Sequence, residues 1–453
     1  MSHYTMHLLN TNSYIRKVAS LLLAASVKKT FPETCLVGGG VTPLGFYYDF
    51  AFPFVFHESF LILIEEAIAG LIKSSSNIKQ MEMVPFSASQ MLVFHKESFR
   101  AEDAALSNSS LIFVFQIDQF VDWMEDGLEG FSTRDAGAVK LKSFEKIGMR
   151  DGRDIVRIWG AACADRQSLK KFLKEEGRLV SRLHPQIGTQ LDLFSALTGN
   201  EGLWVWHPRG EAVWNDLSRF LRQRLMEEKF SFIKMPSPVS LSLSNGEEFN
   251  SFLERELAGR ASLIAGSSFS KVSEEVCFYD SQLQDFSCGL LKTRESAFDI
   301  QYIFCSASQL LDESISSLLF IIKILKILSF EFKLILSVRK VKPSALTKGE
   351  KICAEALRKA AYSIMNGVFE ETTHAEFKGA KIDFKITDAL GREWSTAFLQ
   401  SFFIEEKSTQ ATLEFSSLGS RERMIALMLE KHEGLPSLFI TGGSFDDKAG
   451  VAK

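Results

Sequence analysis

The chain has 453 residues, 46% hydrophobic and 24% charged, with 39 Phe and a formal net charge of -4. That composition belongs to a packed protein with apolar material for more than one core, and two or three domains of roughly 150 residues fit the length. It excludes a disordered chain and one drawn to nucleic acid by overall charge, so any RNA contact must come from local basic patches.

Six cysteines (35, 163, 277, 288, 305 and 353) form no C-x-x-C pair and no regular framework. They are expected as reduced thiols in a cytoplasmic protein. The N-terminal apolar stretch Ala19 to Val27 is too short and polar for a secretory signal. The longest apolar stretch, Leu318 to Val338, carries Lys323, Lys326, Glu331 and Lys333. Charges at mid-bilayer are costly, so a helix and a strand broken at Ser329 are expected there, and no membrane partner.

Apolar spacing predicts a first helix over Leu9 to Thr30, a turn at Gly38-Gly39-Gly40 and an aromatic strand over Phe46 to Phe50. A helix over Leu61 to Leu71 follows, then a strand over Ser110 to Phe120 entering a loop at Asp122 to Gly130. Strands at Ala138 to Ser143 and Ile155 to Ala161 precede a helix over Asp165 to Lys174 capped by Asp165. The charged stretch from Lys174 to Gly188 marks a domain boundary. Beyond it come a helix over Gly210 to Lys229, a strand over Phe230 to Lys234 and a stop at Pro236-Ser237-Pro238. Helices at Leu310 to Leu328 and Glu350 to Met365, strands at Glu331 to Val338, Lys381 to Thr387, Trp394 to Gln400 and Ala411 to Phe415, and a closing helix over Arg421 to His432 complete the reading. The second part is therefore α+β with a largely antiparallel sheet.

Several segments resemble threonyl-tRNA synthetase, a class II aminoacyl-tRNA synthetase. The block from Trp204 through Met235-Pro236 is similar to the first class II motif, which makes the family's dimer interface. Gly379-Ala380-Lys381-Ile382-Asp383-Phe384 with Asp388-Ala389-Leu390-Gly391-Arg392 and Trp394 resembles a catalytic-sheet signature. Leu418-Gly419-Ser420-Arg421-Glu422-Arg423 resembles the third motif. Upstream, Gly45 to Phe50, Arg157 to Ala161 and Gln190 to Phe194 resemble the editing domain and its exit. The resemblance implies an α+β editing-like domain of the threonyl/alanyl second additional type over 1–180, and a class II antiparallel sheet with helices over 181–453. It also implies that the family's small N-terminal domain and its anticodon-binding domain are lacking.

The same resemblance implies that much of the chemistry is gone. The editing histidines fall on Lys17 and Leu21, and the editing Cys and His on Met124 and Leu128. Leucine has no lone pair and Met is a poor zinc ligand, so editing of the family kind is not expected. The second-motif arginine that clamps the ATP α-phosphate falls on Asp280, and a nearby glutamate on Gln282. A carboxylate at Asp280 repels the phosphate. The two histidines of the threonine-selecting zinc fall on Tyr302 and Glu414, and its cysteine has no counterpart. The carboxylate for the amino group falls on Ile300 and a glutamine on Phe298.

What persists is a vestigial ATP and substrate set: Arg294, Lys381, Gln400, Gly419 and Arg423. The plainer explanation is that they pair with buried carboxylates such as Asp383 or Glu422. No catalytic residue and no cofactor is assigned, ATP stays a candidate ligand, and zinc is not expected. His3 and His7 are the only histidines at ligand spacing, in a terminus expected to fray, and His207 reads as structural. Basic runs at Lys17, Lys28 and Lys29, at Lys140, Lys142, Lys146, Arg150, Arg153 and Arg157, and at Arg339-Lys340-Val341-Lys342 are expected mostly as solvated faces, with RNA contact the alternative. The leading expectation is a non-catalytic paralogue that binds tRNA or a synthetase, as a homodimer or a heterodimer with the synthetase. The runner-up is an active threonine–tRNA ligase with a divergent, zinc-free site, and a third is a decaying gene product.

Overall fold

In the computed structural model, described residues run from 13 to 436, apart from 43, 108, 126, 129–131, 198–201, 236–248, 266–269, 281–287, 340–345, 375–378 and 405–409. His3, His7, Gln282, Lys340 to Lys342 and the stop at Pro236-Ser237-Pro238 lie outside them. The chain divides into two compact units, Met1–Leu179 and Val180–Lys453.

The first unit is built on an antiparallel sheet in the order β1 (Cys35–Thr42), β2 (Gly45–Phe52), β7 (Arg153–Cys163), β6 (Ala138–Arg150). Helix α1 (Ser13–Thr30) is apolar enough to be buried along most of its length, and it packs with α2 (Ser59–Ser74) over Phe46, Tyr48, Phe50 and Ile158. The triple glycine lies inside β1 and is no turn. A Cβ at Gly39 would stand 2.3 Å from the Tyr48 ring and 2.6 Å from Ser20 Oγ, so glycine is needed for the strand to pass between them.

A smaller sheet, β3 (Lys79–Met83), β4 (Ile112–Ile117) and β5 (Phe120–Met124), carries helices α3 (Pro85–Phe94) and α4 (Ser98–Ala105). Asp122 therefore sits in a hairpin strand where a loop was expected, because a two-residue turn at 118–119 closes the hairpin. The strand expected to end at Ser143 runs on to Arg150 through two register shifts. Helix α5 (Arg166–Val180) closes the unit. Asp165 caps it, accepting from the N–H groups of Gln167 and Ser168 at 2.8 and 2.9 Å.

The second unit holds an eight-stranded sheet in the order β10 (Ser231–Phe232), β11 (Lys271–Tyr279), β12 (Glu295–Ser306), β17 (Gln410–Ser416), β16 (Glu393–Phe402), β15 (Ala380–Thr387), β13 (Lys333–Arg339), β14 (Glu370–His374). Only its two outermost pairs are parallel. One face packs on α7 (Pro208–Glu227), α9 (Leu310–Ile327), α10 (Lys348–Met365) and α11 (Arg421–His432), in the largest apolar cluster. The other face carries α8 (Phe249–Ile264) through Leu257, Ala261 and Ile264. The apolar stretch around Ser329 is the tail of α9 and the start of β13, with Ser329 at φ 65° between them. No helix among the described residues is long and apolar enough to cross a membrane.

Candidate functional site

Strand register builds the site. Tyr302 pairs with Glu414, Glu414 with Gln400, and Gln400 with Lys381, so these four side chains stand in one row on one face of the sheet. Glu274, opposite Ile300 on the neighbouring strand, joins them diagonally. Arg260 of α8 closes the cluster, donating from Nε to Glu274 Oε1 at 2.8 Å and from Nη2 to Oε2. Tyr302 Oη donates to Glu274 Oε1 at 3.0 Å, and Gln400 Nε2 to Glu414 Oε1 at 2.8 Å. Arg260, Glu274, Tyr302, Gln400 and Glu414 are all buried.

Around this polar core Phe278, Phe298, Ile300, Phe304, Phe398 and Phe402 share one apolar cluster with Leu257, Ala261 and Ile264 of α8. Burial, with the nearby carboxylates of Glu414 and Glu274, holds the Tyr302 hydroxyl well above its ordinary pKa, so it stays a donor. Within this apolar surrounding Arg260 and Glu274 answer each other, and Glu414 accepts from the Gln400 amide. Lys381 at the end of the row lies 3.4 Å from Asp383 and over the Phe398 ring.

The third-motif residues are fixed in other ways. Arg423 donates from Nε to the carbonyl of Leu291 at 2.8 Å and from Nη1 to that of Ser395 at 2.6 Å. Its guanidinium meets carbonyl oxygens rather than the Glu422 carboxylate, and burial pulls its pKa down to about 10. Glu422 turns away to accept from the Ala297 N–H at 3.1 Å and from Ser420 Oγ at 2.7 Å, and burial pushes its carboxyl up to about 7. Gly419 has φ 70°, and a Cβ there would lie 2.4 Å from the Thr396 carbonyl oxygen. Arg294 is anchored through its backbone, which bonds Gly202 and Asp280 on either side. Asp280 is buried beside it.

Two buried interactions escaped the sequence. Arg421, 1% exposed, reaches Asp299 at 2.7 Å and Glu275 at 3.1 Å and stacks on Trp214 of α7. His184 donates from Nδ1 to Glu430 at 2.6 Å while its Nε2 accepts the Leu290 N–H at 2.9 Å, which fixes its tautomer. Burial raises the Glu430 carboxyl, but His184 and two backbone N–H groups more than reverse it, leaving its pKa below the ordinary value. A basic residue between Ser420 and Glu422 was the one available signal for Arg421; nothing local signals a histidine paired across 246 positions. His207 bonds Asp192 at 2.7 Å and Ser195 at 3.0 Å, tying the β8–β9 hairpin (Phe194–Ala196, Trp204–Trp206) to the start of α7.

In the first unit Leu21 and Leu128 are buried in one apolar cluster, with Met124 packed against it. Among the described residues no group of three or more His, Cys, Asp and Glu side chains could hold a metal. Asp122 is locked by Tyr48 Oη at 2.7 Å and Arg100 Nε at 2.7 Å. The basic run on β6 and β7 is largely answered at home: Lys140 by Glu65, Lys142 by Glu176, Lys146 by Asp154, Arg150 by Glu102 and Arg157 by Asp49.

The chain resembles threonine–tRNA ligases over nearly its whole length. It is 26% identical to that of Rickettsia bellii (strain OSU 85-389) over 468 residues, covering 93% of this chain and 73% of the relative. It is also 26% identical to that of Saccharophagus degradans, over 93% of this chain and 72% of the relative. Among solved structures, the RNA-binding domain of threonyl-tRNA synthetase from Cryptosporidium parvum Iowa II aligns over 56% of this chain and 73% of that one, at 20% identity and a TM-score of 0.47. No protein-family profile matches the chain.

Proposed function

We propose that this is a threonyl-tRNA synthetase-like protein that has given up aminoacylation and acts by binding, with a tRNA or a synthetase as its partner. The observation that carries this reading is the buried Arg260–Glu274–Tyr302 cluster beside Gln400–Glu414. The resemblance puts the amino-acid and zinc site on that face. There Tyr302 and Glu414 stand where imidazoles would ligate, Ile300 and Phe298 where polar groups would hold the substrate, and α8 lies at the Glu274–Tyr302 end of the row through Arg260. A ligand entering would have to break a buried ion pair and displace aromatic packing, and it would find Asp280 where a phosphate needs an arginine. Loss of the editing ligands to Leu21, Met124 and Leu128 supports the same reading for the first unit.

Titrating the full chain with a threonyl-tRNA synthetase and, separately, with its tRNA, followed by sizing and cross-linking, tests the binding role. A complex with either is expected. A chain that stays monomeric and alone in every mixture contradicts it. The second reading, an active ligase with a divergent zinc-free site, draws on retention of Arg294 and Arg423. Against it, the Arg423 guanidinium is already bonded to two backbone carbonyls.

A further inference from the structure

A groove of about 770 Å³ runs along the first unit between α2, the start of β6 and the first half of α5. Its floor is aliphatic, formed by Ile68, Ile72, Leu169 and Leu173, the last 36% exposed. Around it stand the exposed cations Lys73, Arg134, Arg166 and Lys170. Two carboxylates also line the groove: Glu65 is answered by Lys140, while Asp165 is held as the α5 cap and keeps its charge, one against the four cations. Asp165 takes the two N–H groups of its cap and Ser168 Oγ at 2.7 Å, while Glu65 takes the Leu141 N–H at 2.7 Å and Lys140 at 2.9 Å. Among the described residues none of the four cations is ion-paired. The neighbouring strands, by contrast, neutralise nearly every charge they carry.

We propose that this groove docks an acidic amphipathic segment of a partner protein, aliphatic side chains on the floor and carboxylates against the four cations. Apolar anchors in a groove with a complementary charged rim are how amphipathic helices are recognised. The occupant is a peptide rather than RNA for two reasons. No aromatic side chain lines the groove to stack a base, and phosphates laid over the aliphatic floor would lose water without compensation. The inference stands on the groove alone and holds whether or not the second unit is catalytic.

The test uses the full chain and fluorescence anisotropy with a synthetic four-turn helix bearing Leu on one face and Glu elsewhere. Controls are the same helix with Lys for Glu, one with Ser for Leu, and a short RNA duplex. The Glu/Leu helix is expected to bind, more weakly as salt rises, and to lose about tenfold or more in affinity in Lys73→Glu/Arg166→Glu, with a smaller loss in Leu173→Ser. All three side chains are exposed, so unchanged thermal midpoints are expected; Lys170→Glu replaces the double variant if its midpoint falls. No binding of the Glu/Leu helix, equal binding of the Ser control, indifference to all these variants, or displacement by the RNA duplex would each overturn the proposal.

Discussion

Arg260 and Glu274 are 7% and 2% exposed and share a bidentate contact. Each charge is tolerable only because of the other, and that makes the pair a sharp probe of how the face is filled. Arg260→Leu alone is expected to cost about 3–5 kcal/mol, since Glu274 is left buried and charged, while Arg260→Leu with Glu274→Leu should recover most of the loss. Urea midpoints of the two singles and the double check this; additive losses would mean that the two side chains are not coupled. Glu422 offers a second probe, through pH. Its carboxyl is raised from 4.5 to about 7 by burial, so the folded state holds the proton more tightly than the unfolded one. Stability is therefore greatest below about pH 4.5 as far as this group is concerned, and falls as pH rises toward 7. Glu422→Gln should stabilise the protein by on the order of 2–3 kcal/mol at about pH 8, an advantage that vanishes near pH 4.5. A pH-independent difference between the two proteins would sink the assignment.

Elements decide whether these residues can meet at all. Gly419 lies in the bend between β17 and α11 with a positive φ and the Thr396 carbonyl oxygen 2.4 Å from where a Cβ would sit, so Gly419→Ala is expected to cost about 1–3 kcal/mol, read as a lowered thermal midpoint. In the first unit, Leu21→His places an imidazole at a position where the resemblance implies one. It buries an imidazole among Leu22, Phe50 and other apolar side chains, and should destabilise by roughly 2–4 kcal/mol without yielding zinc binding. Zinc bound by that variant at unchanged stability would contradict the packing described for it. The sequence made the long periodic segments legible: α9 and β13 on either side of Ser329, α10, β15 to β17 and α11 lie within a few residues of expectation. It did not reveal β11, β12, α3, α4 or α8. In β12, Ser296 and Gln301 are buried among apolar neighbours, so no clean alternation marks the strand. Helix α3 has apolar side chains on every side, with Phe86 and Phe94 exposed, and shows no stripe. The triple glycine was misread because its reason is a neighbouring strand's tyrosine, which local turn chemistry cannot reveal.

At the scale of the molecule, the positions that the resemblance singles out are buried in both units: Leu21 and Leu128 in the first, Tyr302 and Glu414 in the second. The resemblance singles out positions such as Tyr302 and Glu414, but not what surrounds them. Arg260 comes from a helix that no motif marked, and its partnership with Glu274 exists only once α8 lies on the sheet. On the proposed reading, a ligand reaching this face would have to part the Arg260–Glu274 ion pair first. Leu21 and Leu128 are buried in the first unit and Arg260 and Glu274 in the second, while the basic groove keeps four cations without an ion pair among the described residues. The decisive measurement is ATP–pyrophosphate exchange by the full chain with each of the twenty amino acids. No exchange with any of them is expected. Exchange with threonine, or with any other amino acid, would mean that Asp280 is compensated and that the Arg260–Glu274 cluster opens to admit a substrate, and the non-catalytic reading would fall.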